Sequence, residues 1–267
     1  MVGYINDKGR GRFGNCVFRF LASRLFCIIY NLKYIDSYQN NMIQIDDLTF
    51  IEWSKYLLEN KLIQFPIHNF YFELYYQHDM IYRKYKSELL EYINNNPNQT
   101  MISDKDEIYY VKELIQKAPI LDKSYNTVVH LRIEDFFEID KVIHPESINK
   151  ILNSCEQPYL FIHKPVESEY DNIYISYFKN KYNDSIFFSG SVIDSYNLMR
   201  EATTLICSNS TMSWVAALLS TSLNKVFVPR NDNTVFHNTF QYPSNNTEVY
   251  YYNIIKKEEL NLFKNLN

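Results

Sequence analysis

No stretch of this chain reaches the roughly 20 uninterrupted apolar residues of a membrane span. The best candidate, CVFRFLASRLFCIIYNL, is broken by Arg19 and Arg24. No cleavage-like signal accompanies the charged residues near the N-terminus, so the expectation is a cytoplasmic chain with peripheral membrane contact left open. Cysteine is sparse: Cys16, Cys27, Cys155 and Cys207 form no CxxC knuckle. Each lies in or beside an apolar run, which argues for reduced core residues over a disulfide scaffold. Positive charge is not in excess either, with 27 basic against 31 acidic residues and a net charge of -4. That balance argues against nucleic acid or any other general polyanion as a partner, so a phosphate must be gripped locally. Neither GxGxxG in the right register nor GK[ST] occurs. No convincing DxD is read for a divalent ion, since Asp46 and Asp47 are adjacent and DNDN-type clusters are absent except for RNDN at 230–233. No metal is expected.

With 267 residues the chain is long enough for a sizeable core divided between two compact units. Near its start, GRGRFGNCVFRFLA crowds Gly9, Gly11 and Gly14 ahead of an apolar run. A cluster this tight marks either a flexible turn or a backbone that something approaches closely. VGYI before it suits a short strand, and Phe18, Leu21, Ala22, Leu25 and Ile29 recur at helical spacing. Strand, glycine loop and helix in that order present backbone N–H groups to an anion. From Phe50 to Tyr92 the chain is rich in aromatics, which suit either core packing or a carbohydrate groove. In YRKYKSELLEYI, Tyr85, Leu89 and Tyr92 share a helical face. NNNPNQT breaks the pattern, and VKELIQKAPIL is expected to be a helix before a boundary that separates residues 1–125 from 126–267.

The second half alternates. NTVVHLRIEDFF begins as a β-branched run at Thr127 to Val129 and turns polar at His130, Arg132, Glu134 and Asp135. Strands at 159–163, 185–188, 203–207 and 225–228 follow, with helices starting at Asp194 and running through Trp214, Ala217 and Leu218. The pattern predicts an α/β fold with a mostly parallel sheet covered on both faces. Polar groups at the carboxyl ends of such strands build sites. Arg132 could fork onto a phosphate or pair with Glu134 or Asp135. In the turn SNST, Ser208, Asn209, Ser210 and Thr211 sit where strand meets helix, as phosphate donors or as ordinary N-caps. YYNIIKKEELNLFKNL at the end is expected to form a packed helix.

Three ordered segments, GRGRFGNCVFRFLA, VVHLRIEDFF and LMREATTLICSNSTMSWVAALLS, resemble the inverting alpha-1,2-fucosyltransferases and, more distantly, the wider fucosyltransferase superfamily. Gly11, Gly14, Asn15 and Phe18 match its glycine segment, and His130, Arg132 and Asp135 its HxRxxD motif. Ser208, Asn209, Ser210, Ser213, Trp214, Ala216 and Ala217 match SNSxxSWxAA, introduced by Asp194, Leu198 and Met199. There are departures: Ile133 and Glu134 stand where many members have a second arginine and a glycine, Cys16 replaces a glutamine, and Val215 replaces a tryptophan.

The resemblance implies a GT-B-type fold. A Rossmann-like C-terminal domain would bind a nucleotide sugar, and a smaller N-terminal α/β domain would contribute the glycine loop and the acceptor side. It implies a metal-independent transfer of L-fucose from GDP-fucose to a glycan hydroxyl, with no separate cofactor. By carry-over, Arg132 would bind the β-phosphate, and Gly11, Gly14 and Asn15 would border the pyrophosphate. Ser210 and Thr211, flanked by Ser208 and Asn209, would meet that pyrophosphate from a helix start. His130 would orient the guanine or the arginine, and Asp194 the base or ribose. Asp7, Glu134, Asp135 and Glu138 are the candidate acceptor bases. Another GDP- or UDP-sugar, a carbohydrate-binding module and a catalytically silent relative stay open.

Overall fold

The computed structural model describes residues 4–7, 11–35, 41–65, 69–121, 124–230 and 247–263. Gly9 and most of RNDN lie outside them. The described residues up to Gln116 form one compact unit and those from Lys117 onward a second.

In the first unit, β1 (Tyr4–Asn6) leads to α1 (Phe13–Tyr30), followed by β2 (Lys33–Tyr34), β3 (Ile43–Ile45), α2 (Asp47–Leu58) and β4 (Asn69–Phe72). The four strands form one parallel sheet in the order β2-β1-β4-β3. α3 (Asp79–Lys84), α4 (Lys86–Asn95) and an antiparallel hairpin of β5 (Thr100–Ile102) and β6 (Ile108–Tyr110) complete the unit. The aromatic region is core. Phe26 of α1 lies 4.2 Å from Trp53, 5.5 Å from Phe70 and 5.1 Å from Phe72, ring centre to ring centre. Trp53, Phe50, Phe70 and Phe72 are fully buried, each contributing about 2 kcal/mol of hydrophobic stabilisation. Among the described residues, α1 is the one helix long and apolar enough to cross a membrane, and most of it is buried inside its own unit.

Three local expectations are corrected here. Gly14 and Asn15 belong to the first turn of α1, not to a loop before it. Of VKELIQKAPIL only Val111–Leu114 is helical, as a 3-10 turn closed by Glu113 on the backbone of Tyr110. Pro119, which cannot donate to a helical ladder, stands in the irregular remainder. The terminal segment is not an α-helix: a strand, Thr247–Tyr251, precedes a 3-10 turn, Glu258–Phe263.

The second unit runs β7 (Thr127–His130), α5 (Asp135–Glu138), α6 (Pro145–Leu152), β8 (Tyr159–Ile162), α7 (Glu169–Lys181), β9 (Ile186–Phe188) and α8 (Val192–Arg200). Then come β10 (Thr204–Ile206), α9 (Thr211–Leu219), β11 (Lys225–Arg230) and β12 (Thr247–Tyr251). All pairings are parallel, in the order β12-β11-β10-β7-β8-β9. This is the doubly wound order in which the chain starts at the centre, builds outward, then returns to build the other side. β7, β8 and β10 are nearly all buried, as strands covered on both faces must be. Helix α8 begins two residues earlier than Asp194, at Val192, because Ser191 caps it.

Candidate functional site

The direction of winding reverses between β7 and β10, and there the carboxyl ends of two adjacent strands diverge into a crevice. His130 ends β7, and Ser208 lies just beyond β10. Their side chains meet across the switch point, Ser208 Oγ to His130 Nδ1 at 2.8 Å. Burial drives the imidazole pKa down to about 3, and the nearby Arg132 charge pushes the same way. His130 is therefore neutral at physiological pH and acts through hydrogen bonds.

His130, Arg132, Lys141, Ser208 and Asn209 line a depression floored by Leu131, Ile143, Ile148 and Tyr174. It measures about 190 Å3 with its open solvent included. It is not a formed ligand cavity: as they stand, the side chains leave no room in it for a bound group.

Arg132 leaves β7 on the crevice side and is held by carboxylates. Its guanidinium donates to Asp135 Oδ1 at 2.5 Å and to Glu134 Oε2 at 3.3 Å, and it lies 4.6 Å from the centre of the Phe136 ring. The same Glu134 oxygen also receives Lys164 Nζ at 3.1 Å. Sequence reading missed Lys164, although it follows β8 as His130 ends β7. Polar residues at the carboxyl end of an adjacent parallel strand were the available signal.

Glu134 has φ +64°, a backbone region that favours glycine, at the position where the fucosyltransferase resemblance expects one. The conformation is held by Asp171, whose Oδ1 accepts the Glu134 N–H at 3.0 Å. The other oxygen of Asp171 closes a capping box with Ser168 at the start of α7.

At the head of α9, Ser210 is the N-cap, its Oγ accepting from Met212 N–H at 3.3 Å, and Thr211 is the first helical residue. Ser213 donates back to the Ser210 carbonyl at 3.0 Å. Asp194 sits in the first turn of α8 and accepts from the Ser191 hydroxyl at 2.7 Å; it is not among the residues lining the depression. Glu138, an expected base, pairs with Lys257 instead.

The other candidates belong to the first unit. Gly11 has φ +118°, and a Cβ there would fall 2.7 Å from Asn15 Cβ, so close approach to the helix requires glycine. Its carbonyl accepts from Asp104 N–H at 3.1 Å and from the Cys16 thiol at 3.2 Å. Gly14 lies in the first turn of α1, which has no side-chain cap and no acidic residue there. Asn15 accepts from Gln77 at 3.0 Å. Asp7, beyond β1, binds Arg24 Nη1 at 3.0 Å and the Ser23 hydroxyl at 2.9 Å. Cys16, Cys27, Cys155 and Cys207 are free thiols. No group of three or more metal-ligating side chains occurs among the described residues.

No family model matches the chain, and no curated protein does. Among solved structures, the bacterial iron-containing dodecameric glycosyltransferase TibC from enterotoxigenic E. coli H10407 is similar, at 14% identity and a TM-score of 0.39. The match covers 85% of this chain and 57% of that one, so this chain spans little more than half of TibC's length. The class of the second unit therefore rests on its own strand order: a doubly wound α/β unit with a polar switch-point crevice.

Proposed function

We propose that the chain is an inverting glycosyltransferase of GT-B type. It would move a sugar, most specifically L-fucose from GDP-fucose, onto a glycan hydroxyl. The observation that carries the reading is the His130–Ser208 hydrogen bond across the switch point with Arg132 beside it. Doubly wound sheets take nucleotides at that place, and an arginine there meets a diphosphate without a metal. The fucose and guanosine assignments rest on the sequence resemblance alone.

In this reading the acceptor oxygen bonds to the anomeric carbon on the face opposite the diphosphate, as the bond from that carbon to the phosphate oxygen breaks. Negative charge grows on the departing β-phosphate, and a fixed guanidinium favours the transition state over the ground state. Arg132 carries that role. Asp135, already bonded to it, positions the guanidinium. Neutral His130 and Ser208 shape the crevice wall, Asn209, Ser210 and Thr211 offer polar groups at the head of α9, and Asp194 faces the base or ribose. Gly11, Gly14 and Asn15 border the pyrophosphate by carry-over from the resemblance. The acceptor proton leaves to a carboxylate: of the choices carried from the sequence, Glu134 and Asp135 are paired with Arg132, and Asp7 is sealed against Arg24 in the first unit.

A second reading, a catalytically silent carbohydrate-binding relative, is favoured by one observation: two carboxylates already occupy Arg132. Calorimetric titration with GDP, GDP-fucose and UDP, with and without EDTA, separates the two. The expected result is EDTA-insensitive binding of the guanosine ligands, weakened at least about 100-fold by Arg132→Ala, as for loss of a charge-assisted phosphate contact. Binding of UDP alone would keep a glycosyltransferase and remove fucose. Absence of nucleotide binding would favour the silent protein.

A further inference from the structure

The donor reading leaves one feature unexplained: a carboxylate lies where an anion should bind. We propose that Glu134 is a built-in competitor for a two-cation phosphate cradle formed by Arg132 and Lys164, and that an arriving phosphate displaces it. The inference rests on the proposed function and names the regulation of that same site.

Three observations carry it. First, one oxygen, Glu134 Oε2, is ion-paired with both cations, accepting from Arg132 at 3.3 Å and lying 3.1 Å from Lys164 Nζ. The two cations come from segments following adjacent strands, β7 and β8, so they converge by topology and do not depend on a single flexible loop. An oxygen bridging a guanidinium and an ammonium occupies the place of a phosphate oxygen.

Second, within the ion-paired set the charges balance only while Glu134 stays in, and Lys141, which lines the same depression as Arg132, adds a further positive charge. Arg132 and Lys164 together face Glu134 and Asp135, two positive against two negative groups. When Glu134 swings out, one positive charge is uncompensated, and a phosphate satisfies it. Glu134 is 16% exposed, between Arg132 at 10% and Lys164 at 42%, so its way out lies on the lysine side. The cradle is closed on the arginine side and open on the lysine side.

Third, Glu134 holds its position at a backbone cost. A residue with a side chain at φ +64° is strained, and Asp171 fixes that strain through the Glu134 N–H. Glycine would take the same backbone freely, so the side chain is kept against local preference. Its contacts are the two cations.

The test is titration with inorganic pyrophosphate and, separately, GDP. The proteins are the full chain and its Glu134→Gln, Glu134→Gly, Lys164→Met and Glu134→Gln/Lys164→Met forms, each checked for native circular dichroism. Glu134→Gln keeps the shape and removes the charge. Glu134→Gly removes the side chain and suits the backbone, so it should fold if the first does not. The expected result is pyrophosphate binding about tenfold tighter in both Glu134 forms, with most of that gain lost when Lys164 is also replaced. Unchanged or weaker pyrophosphate binding in both Glu134 forms would overturn the competitor, as would absence of pyrophosphate binding in every form. GDP separates this failure from failure of the donor reading. Wild-type GDP binding with no gain in the Glu134 forms sinks the competitor and leaves the glycosyltransferase. A pyrophosphate gain without any GDP binding supports the cradle and removes the nucleotide.

Discussion

Each unit places an arginine–carboxylate cluster beside the carboxyl end of the first strand in a parallel sheet, yet the two clusters are built for opposite purposes. In the first unit Arg24 is fully buried and its partner Asp7 nearly so, at 0% and 8% side-chain exposure. Tyr34 covers the guanidinium at 3.7 Å from its ring centre, and Gln99 accepts from its Nε at 2.9 Å. Arg19, also buried, binds the Asp7 carbonyl and the Ile102 carbonyl, tying β1 to the β5 hairpin strand. In the second unit Arg132 lines a depression, and its carboxylates Asp135 and Glu134 are 41% and 16% exposed. A sealed pair has nothing to exchange with. One at a crevice mouth can trade a carboxylate for a ligand anion, because water solvates the group that leaves.

The sharpest test of that contrast is Asp7→Ala. It leaves Arg24 charged, buried and short of its partner, with Nη2 already without one. The expected loss is ~3–5 kcal/mol, read as a lower melting temperature. A loss below ~1 kcal/mol would break the comparison by showing the first cluster to be as yielding as the second.

Gly11→Ala is next. Its positive φ and the 2.7 Å approach to Asn15 Cβ predict a loss of ~1–3 kcal/mol in urea denaturation. A neutral substitution would mean that the approach to α1 adjusts freely.

His130 offers a test in pH. Its folded pKa is depressed to about 3, whereas an unfolded histidine titrates near 6.5. Below about pH 6.5 the unfolded chain binds a proton that the folded chain refuses, so stability is present above that pH and declines toward pH 3. This contributes at most ~1.4 kcal/mol per pH unit, and His130→Gln should flatten the decline by that much between pH 6 and 4.5. Parallel stability profiles for wild type and variant would place the imidazole in contact with water.

The smallest stability effect is expected at the residue most needed for binding. Arg132→Met should shift unfolding by less than ~1 kcal/mol, since Glu134 keeps Lys164 and Asp135 reaches solvent. A loss as large as that of Asp7→Ala would make Arg132 a structural pillar and weaken its role as the anion site.

The second unit was legible because its strands are short buried runs, TVVH, YLFI and TLI, separated by amphipathic helices. The polar residues that follow them announced the crevice, and His130, Arg132, Ser208 and Asn209 do line one depression. In the first sheet only β1 was legible, from VGYI ahead of the glycine turn. β2 is two residues long, β3 reads IQI, and β4 reads NFYF inside a stretch so aromatic that groove and core looked alike. The tyrosine-rich end of the chain reads as a helix from its later Lys, Glu and Leu. Tyr250 and Tyr251 instead pair with Pro229 and Arg230 on β11, a partner set by the rest of the sheet.

By itself, the sequence determined the alternation of strands and helices, the reduced cysteines and the identity of the polar groups that end β7 and β10. Burial on both faces writes itself into uninterrupted apolar runs, and glycine writes itself into close approach at Gly11. Only the tertiary structure decided that His130 bonds Ser208, that Lys164 shares a Glu134 oxygen with Arg132, and that Arg24 is sealed while Arg132 is not. Those outcomes depend on which strands lie side by side and where their ends face water, and neither is encoded in the local run of residues.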